Sequence, residues 1–243
     1  MHEFVNPYGR VVVDARDALF ARAARLIAAE QAKKRPGAFT VALSGGSTPK
    51  DWFRWVVASR AFSPEVLASA HFTVSDERIV PLSSDDSNFG NAQRLLFEPL
   101  KIPAVRCHAW PVDLPPPQAA EAYAATLAAL TGSKESYGVC MLGMGDDAHT
   151  ASFFPGGQLL ENDGGVPFAA VDTAQKGWRL TITPTGLRTC GLILVMALGA
   201  EKAKALRRVM AGQEEWNAAP AKILATASDR VVWLIDDLAA AQL

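Results

Sequence analysis

The 243-residue sequence lacks the features that mark several large classes of protein. It has no apolar run as long as a membrane span, and its N-terminal stretch has neither the charged start nor the cleavage site of a secretory signal. Its 24 Lys and Arg and 25 Asp and Glu residues give a formal net charge of −1, without a run of like charges. We therefore expect no membrane partner and no nucleic-acid partner.

Cysteine and histidine are also scarce. The three cysteines, Cys107, Cys140 and Cys190, lie far apart, and the four histidines are scattered. An odd number of scattered cysteines is typical of a reduced protein, so we expect a cytoplasmic location. The sequence shows no metal-ligand cluster, GxGxxG motif, Walker lysine or GxSxG motif. We accordingly expect no metal and no cofactor.

The chain is nevertheless rich enough in apolar residues, at 49%, to bury one large core or two small ones. Short apolar runs alternate with amphipathic segments for most of its length. This alternation predicts an α/β fold with a mostly parallel sheet flanked by helices on both faces. The predicted strands are Val11–Val13, Phe39–Leu43, His71–Ser75, Val139–Leu142, Ala169–Val171, Leu180–Thr183, Leu192–Met196 and Val231–Ile235.

The stretch Ser44–Thr48 (SGGST) joins a predicted strand to a predicted helix. Gly45 and Gly46 let the backbone approach a ligand closely. Ser47 or Thr48 can cap the helix that follows. Free amides, the helix dipole and the three hydroxyl side chains then favour a bound phosphate. A tight strand-to-helix turn without a ligand is the alternative interpretation.

Three charged residues, Asp76, Glu77 and Arg78, follow another predicted strand. Strand alternation turns Asp76 and Arg78 to one side and Glu77 to the other. An aspartate and an arginine that face one pocket can hold a sugar hydroxyl and a phosphate. A surface salt bridge explains the same spacing. The run Asp85–Asn88 predicts the start of a capped helix.

The stretch Leu142–Pro155 (LGMGDDAHTASFFP) follows the predicted strand Val139–Leu142. Its two early glycines allow a sharp bend, and His149 comes two residues after Asp147. Histidine is a ready general base near neutral pH, and an open α/β sheet binds its ligands outside the carboxyl ends of its strands. The alternative is a polar loop histidine without a chemical role.

Two further basic residues stand near predicted strand ends. Arg179 begins WRLTIT, and Lys202 lies in GAEKA after an apolar strand. Either residue can supply positive charge to a phosphate. For Lys202 a solvated lysine in the first helical turn is the alternative, because the helix dipole disfavours a cation there unless an anion is bound.

The motifs LSGGSTP, DER, DDSN, LGMGDDAHTASFFPG, WRLTIT and GAEKA come in the order and spacing of the 6-phosphogluconolactonase family, which the chain resembles over almost its whole length. The resemblance implies a single domain, residues 1–243, with the α/β fold of the glucosamine-6-phosphate deaminase, ribose-5-phosphate isomerase and CoA-transferase group. It also implies a metal-free carboxylic ester hydrolase of the oxidative pentose phosphate pathway. The expected partner is a small phosphorylated sugar lactone, and we expect a monomer.

Two positions distinguish the chain from its deaminase siblings, which usually read DGHIAFNEP and DEY. Phe154 stands where the deaminase glutamate would be, and Arg78 stands in place of the tyrosine. A third position departs from the lactonases, which usually read DGH where this chain has Ala148 before His149. If that position adopts a positive φ, alanine costs on the order of 1 kcal/mol or more.

Ester chemistry and the resemblance agree on a mechanism for converting 6-phospho-D-glucono-1,5-lactone to 6-phospho-D-gluconate. His149, held by Asp147, takes a proton from the water that attacks the lactone carbonyl, and backbone amides of a glycine turn stabilise the oxyanion. A sugar-phosphate isomerase or deaminase and a non-catalytic sugar-phosphate-binding protein are the alternatives. The expected substrate-binding and phosphate-binding residues are Ser44, Gly45, Gly46, Ser47, Thr48, Asp76, Arg78, Arg179 and Lys202.

Overall fold

Strands and helices alternate in the computed structural model, which describes residues 1–132, 135–173 and 176–243. The strands are β1 (His2–Asn6), β2 (Gly9–Val13), β3 (Thr40–Leu43), β4 (His71–Val74), β5 (Asp76–Arg78), β6 (Val139–Gly143), β7 (Phe168–Thr173), β8 (Gly177–Ile182), β9 (Leu192–Ala197) and β10 (Val231–Ile235). The α-helices are α1 (Arg16–Gln31), α2 (Ser47–Ser59), α3 (Pro64–Ser69), α4 (Asn88–Ala92), α5 (Pro116–Thr131), α6 (Pro184–Leu187), α7 (Ala203–Met210) and α8 (Asp237–Ala240).

Shorter helical pieces extend or link these elements. A π-helical turn, Gln93–Phe97, continues α4, and the 3₁₀ segments are Ala104–Arg106, Gln158–Leu160, Ala200–Lys202 and Pro220–Arg230. Within the residues given above, no helix is both long and apolar enough to cross a bilayer.

The main sheet has seven strands in the order β1-β2-β10-β9-β6-β3-β4. Every neighbouring pair is parallel except β1 and β2, which form an antiparallel hairpin at one edge. All residues of β3 and β10 are buried, as expected for parallel strands covered on both faces. The predicted α/β fold with a mostly parallel, helix-flanked sheet is confirmed.

A second sheet contains three antiparallel strands in the order β5-β8-β7. The predicted strands Ala169–Val171 and Leu180–Thr183 therefore lie outside the parallel sheet. Ser75 joins the two sheets, because its N–H donates to Leu43 O at 2.8 Å and its carbonyl accepts from Ile182 N at 2.9 Å. This junction places β5 beside the carboxyl ends of the parallel strands.

The buried apolar residues form one core, to which strands of both sheets contribute. Trp52, Trp110 and Trp233 are among its largest fully buried side chains. Trp110 donates its indole N–H to Val74 O at 2.9 Å, and its ring stacks on Tyr123 with centroids 3.7 Å apart. These contacts fix the edge strand β4, which leads directly into the charged residues of β5.

Candidate active site

A cleft of 290 Å³ opens where the chain leaves the carboxyl ends of the adjacent strands β3, β6 and β9. This is the edge of the sheet at which the sequence predicts the site. The residues that line the cleft are Ser44, Gly45, Gly46, Ser47, Thr48, Pro49, Asp76, Arg78, Asn88, Gly143, Met144, Gly145, Asp146, His149, Ala151, Met196 and Lys202.

The turn after β3 brings the start of α2 to the cleft. Gly46 is the N-cap residue and has a φ of 100°, a conformation that favours glycine. The prediction that Ser47 or Thr48 caps the helix is wrong, since Ser47 is already the first helical residue. The first intrahelical bond runs from Lys50 N to Gly46 O at 3.3 Å, so the amides of Ser47 and Thr48 precede the helical ladder at the positive end of the dipole.

Gly45 lines the cleft and also packs against Asn88. A Cβ atom on Gly45 would lie only 1.8 Å from Oδ1 of Asn88, so packing against Asn88 requires glycine there. Asn88 in turn donates from Nδ2 to Asp76 O at 2.8 Å. From the sequence alone, Asn88 is expected only to belong to the start of a capped helix. Its membership of the DDSN motif is the one signal that points to a site.

Strand β5 presents its charged side chains as alternation predicts. Asp76 and Arg78 face the cleft, and Ser152 donates its hydroxyl to Asp76 Oδ2 at 3.0 Å. Glu77 is fully buried on the opposite side. Burial raises the pKa of Glu77, although four hydrogen bonds to its carboxylate oppose that effect. The four donors are the backbone N–H groups of Arg78, Asn88 and Phe89 and the hydroxyl of Ser87.

The turn after β6 holds a histidine–aspartate pair. Nδ1 of His149 lies 2.5 Å from Oδ1 of Asp147, and the backbone N–H of His149 donates to the same oxygen at 3.0 Å. Burial alone would raise the pKa of Asp147, but the hydrogen bonds and charge of His149 lower it below its ordinary value. The ring of His149 lines the cleft and packs on Phe154, with centroids 4.8 Å apart.

The backbone of this turn is unusual at Ala148, which is fully buried and has a φ of 67°. The condition under which alanine is costly at this position is therefore met. Gly145 is required for another reason, since a Cβ atom there would lie 2.1 Å from Nδ1 of His149.

The glycine amides of the turn are already engaged. Gly143 N donates to Ser44 Oγ at 3.1 Å, and Gly145 N donates to His149 O at 2.9 Å. These two groups hold the turn in place. Neither amide is therefore free to bind an oxyanion.

The two basic residues predicted near strand ends lie in different places. Lys202 follows β9 and lines the cleft. Arg179 sits opposite Arg78 in the β5–β8 register and borders a neighbouring cavity of 570 Å³, which Arg78 also lines. Burial and the charge of Arg78 lower the pKa of Arg179, whose Nη1 donates to the carbonyls of Lys176 and Trp178. Arg78 therefore lines both the cleft and the neighbouring cavity.

The three cysteines form no disulfide with one another. Cys140 and Cys190 are buried, Cys107 is half-buried, and all three are free thiols. Across residues 1–132, 135–173 and 176–243, no group of three or more His, Cys, Asp or Glu side chains is arranged to hold a metal ion.

The chain is similar to known proteins in both sequence and structure. A sequence profile described as "Glucosamine-6-phosphate isomerases/6-phosphogluconolactonase" matches residues 14–233. The 6-phosphogluconolactonase of Rhizobium meliloti is 36% identical over 227 residues, covering 88% of this chain and 89% of that protein. The 6-phosphogluconolactonase of Nostoc sp. is 32% identical over 241 residues, covering 96% and 97%. The structure of the Trypanosoma brucei 6-phosphogluconolactonase superposes with a TM-score of 0.81 and 26% identity, covering 100% of both chains.

Proposed function

Because the chain belongs to the glucosamine-6-phosphate isomerase and 6-phosphogluconolactonase family, we propose that it hydrolyses 6-phospho-D-glucono-1,5-lactone to 6-phospho-D-gluconate in the oxidative pentose phosphate pathway. One arrangement carries the proposal. A histidine paired with a carboxylate stands in the same cleft as a helix N-terminus and two cationic side chains, those of Arg78 and Lys202. An anionic ester fits such a cleft, with its phosphate at the positive end and its carbonyl near the histidine.

His149 is the general base in this proposal. Its Nδ1 is engaged with Asp147, which leaves Nε2 to face a water molecule in the cleft. The carboxylate holds the imidazole in one tautomer and stabilises the imidazolium that forms when the proton arrives. General-base catalysis of this kind contributes about 10²- to 10⁴-fold to a rate.

The reaction balances with water as the only co-reactant. Water attacks C1 of the lactone and gives its proton to Nε2 of His149. The tetrahedral intermediate then collapses, the bond between C1 and the ring oxygen breaks, and the imidazolium returns the proton to that oxygen.

The phosphate is the proposed source of binding energy. Lys202 and Arg78 supply the positive charge, and Arg179 adds to the potential from behind Arg78. The Ser44–Thr48 loop contributes hydroxyls and the helix dipole. Asp76 is positioned by Ser152 and Asn88 to accept from a sugar hydroxyl, so that remote contacts orient the carbonyl beside the base.

Phe154 supports lactone hydrolysis over the sibling deaminase reaction. The sibling enzymes usually place a glutamate at this position to assist ring opening. Here an apolar ring packs on His149 at a centroid distance of 4.8 Å, so Phe154 supplies no second carboxylate beside the one of Asp147.

We also propose that the chain acts as a monomer in the cytoplasm. Two of its three free thiols are buried, as suits a reducing compartment, and one chain by itself supplies the residues that line the cleft. Light scattering after size-exclusion chromatography tests the oligomeric state. A dimeric mass would overturn the monomer without affecting the assigned reaction.

The test is hydrolysis of freshly generated lactone, measured against its spontaneous background. We expect fast turnover by the wild type, a near-background rate for His149→Ala, and an unchanged rate for the exposed control His2→Ala. A wild type without turnover that is still stabilised thermally by 6-phosphogluconate would indicate a binding protein. Release of ammonia from glucosamine-6-phosphate would indicate the sibling reaction.

A further inference from the structure

We propose that Arg208 is a positioning residue that holds the Asp147–His149 turn in its catalytic geometry. The proposal rests on the assignment of His149 as the base. Arg208 lies in the last turn of α7, and its Nη1 donates to the backbone carbonyl of Asp147 at 3.1 Å, a contact between residues 61 positions apart in the chain.

The turn depends on neighbours because only part of its backbone is satisfied internally. Within it, Ala148 N donates to Gly145 O at 3.1 Å. The carbonyls of Asp147 and Ala148 accept hydrogen bonds from the C-terminal part of the chain. Arg208 takes the carbonyl of Asp147, and Ala221 N donates to the carbonyl of Ala148 at 2.9 Å. Both peptide groups around the strained residue are thus held from the same side.

The guanidinium of Arg208 is itself held firmly. Its Nε donates to both carboxylate oxygens of Glu214, at 3.2 and 2.9 Å, and its Nη2 donates to Ala218 O at 2.8 Å. The side chain is 28% exposed. A planar fork that contacts three separate groups fixes the position of each more closely than a single ammonium does.

The need for such a clamp follows from the backbone of Ala148. An alanine with a φ of 67° occupies a conformation that persists only where surrounding contacts impose it. Without Arg208 the carbonyl of Asp147 loses its partner, and the peptide group can rotate. That rotation displaces both the carboxylate and the imidazole. A misplacement of about 1 Å costs on the order of 100-fold in rate.

Kinetics provide the first test. We expect Arg208→Met to lower kcat by about 10- to 100-fold with KM changed less than about threefold, since the phosphate contacts stay in place. Arg208→Lys should recover part of kcat. The matched control is Arg207→Met, which removes the same charge from an exposed neighbour on α7. Equal kcat values for Arg208→Met and the wild type, or equal losses for the two Met variants, would overturn the proposal.

An NMR measurement separates this proposal from the assigned reaction. In the proposed tautomer Nδ1–H of His149 donates to the carboxylate of Asp147, so we expect its resonance to lie downfield in the wild type. This resonance should broaden or move upfield in Arg208→Met and stay in place in Arg207→Met. If the wild type fails to hydrolyse the lactone, the assigned function fails while the resonance still decides on the clamp. If Arg208→Met does not fold, Arg208→Gln, which keeps a polar side chain but lacks the planar fork, carries both measurements. An unchanged resonance and kcat in Arg208→Gln would overturn the clamp.

Discussion

Oδ1 of Asp147 contacts His149 twice, through the backbone N–H at 3.0 Å and through ring Nδ1 at 2.5 Å. The two contacts fix the ring relative to its own backbone. A base that is held at two points loses little rotamer entropy when it meets substrate, and the carboxylate compensates the charge that develops on the ring.

Asp147→Asn should therefore lower kcat for lactone hydrolysis by about 10²- to 10⁴-fold, because an amide can present its NH₂ to Nδ1 and favour the wrong tautomer. Steady-state kinetics measure the effect. The control is Asp113→Asn, at an exposed position outside the cleft. A loss below about threefold would mean that the carboxylate does not orient the base.

Gly45→Ala should destabilise the protein by about 1–3 kcal/mol, because the added Cβ meets Asn88 Oδ1 at 1.8 Å in a well-packed site. Urea-induced unfolding measures the change in the free energy of unfolding. Gly143→Ala is the matched control, since its Cβ would lie at an ordinary 3.7 Å from Ser44 Oγ. Equal unfolding midpoints for the two variants would show that Asn88 moves aside without penalty.

Ala148→Gly should change the free energy of unfolding by less than about 1 kcal/mol. Relief of the positive φ contributes roughly 1–2 kcal/mol. Loss of a buried methyl group removes about 0.8 kcal/mol, and the greater freedom of glycine in the unfolded chain removes a similar amount. The same unfolding experiment tests this balance. A stabilisation well above 2 kcal/mol would mean that the methyl packs poorly, and a loss of that size would mean that the turn is not strained.

The stacked pair His71 and His108, whose Nδ1 and Nε2 atoms lie 2.9 Å apart, should make stability depend on pH. Burial lowers the pKa of both residues, and the charges of His108 and Arg106 lower that of His71 further. In the unfolded chain the two residues bind protons more readily, so the pair's contribution is complete above the unfolded pKa of about 6.5 and is lost as pH falls below it.

The measurement is the free energy of unfolding between pH 7.5 and 5.5 for the wild type and for His108→Phe, which keeps a stacked ring and removes one titrating group. The wild type should lose more stability over this range than the variant. Parallel curves would show that the pair does not titrate differently in the folded and unfolded states.

Local spacing explains why much of the site was predictable. Alternation along β5 predicts that Asp76 and Arg78 share a side, because successive side chains of a strand point to opposite faces. Asp147 and His149 are separated by a single residue, so a bend in a glycine-containing turn suffices to bring them together. Apolar runs that alternate with amphipathic segments predict the parallel sheet, and the carboxyl ends of that sheet predict the edge at which its loops meet.

Contacts between residues far apart in the chain could not be predicted from the sequence and are seen only in the tertiary structure. Asn88 determines why Gly45 is glycine, and Arg208 supports the turn of His149 from 61 positions away. Lys202 lines the cleft, whereas Arg179 lines the neighbouring cavity together with Arg78. Hydrogen bonds between residues a few positions apart, and the side-chain periodicity of a strand or helix, can be predicted from the sequence alone. The pairing of strands and the packing of helices depend on which buried surfaces fit together, and that is settled only when the whole chain folds.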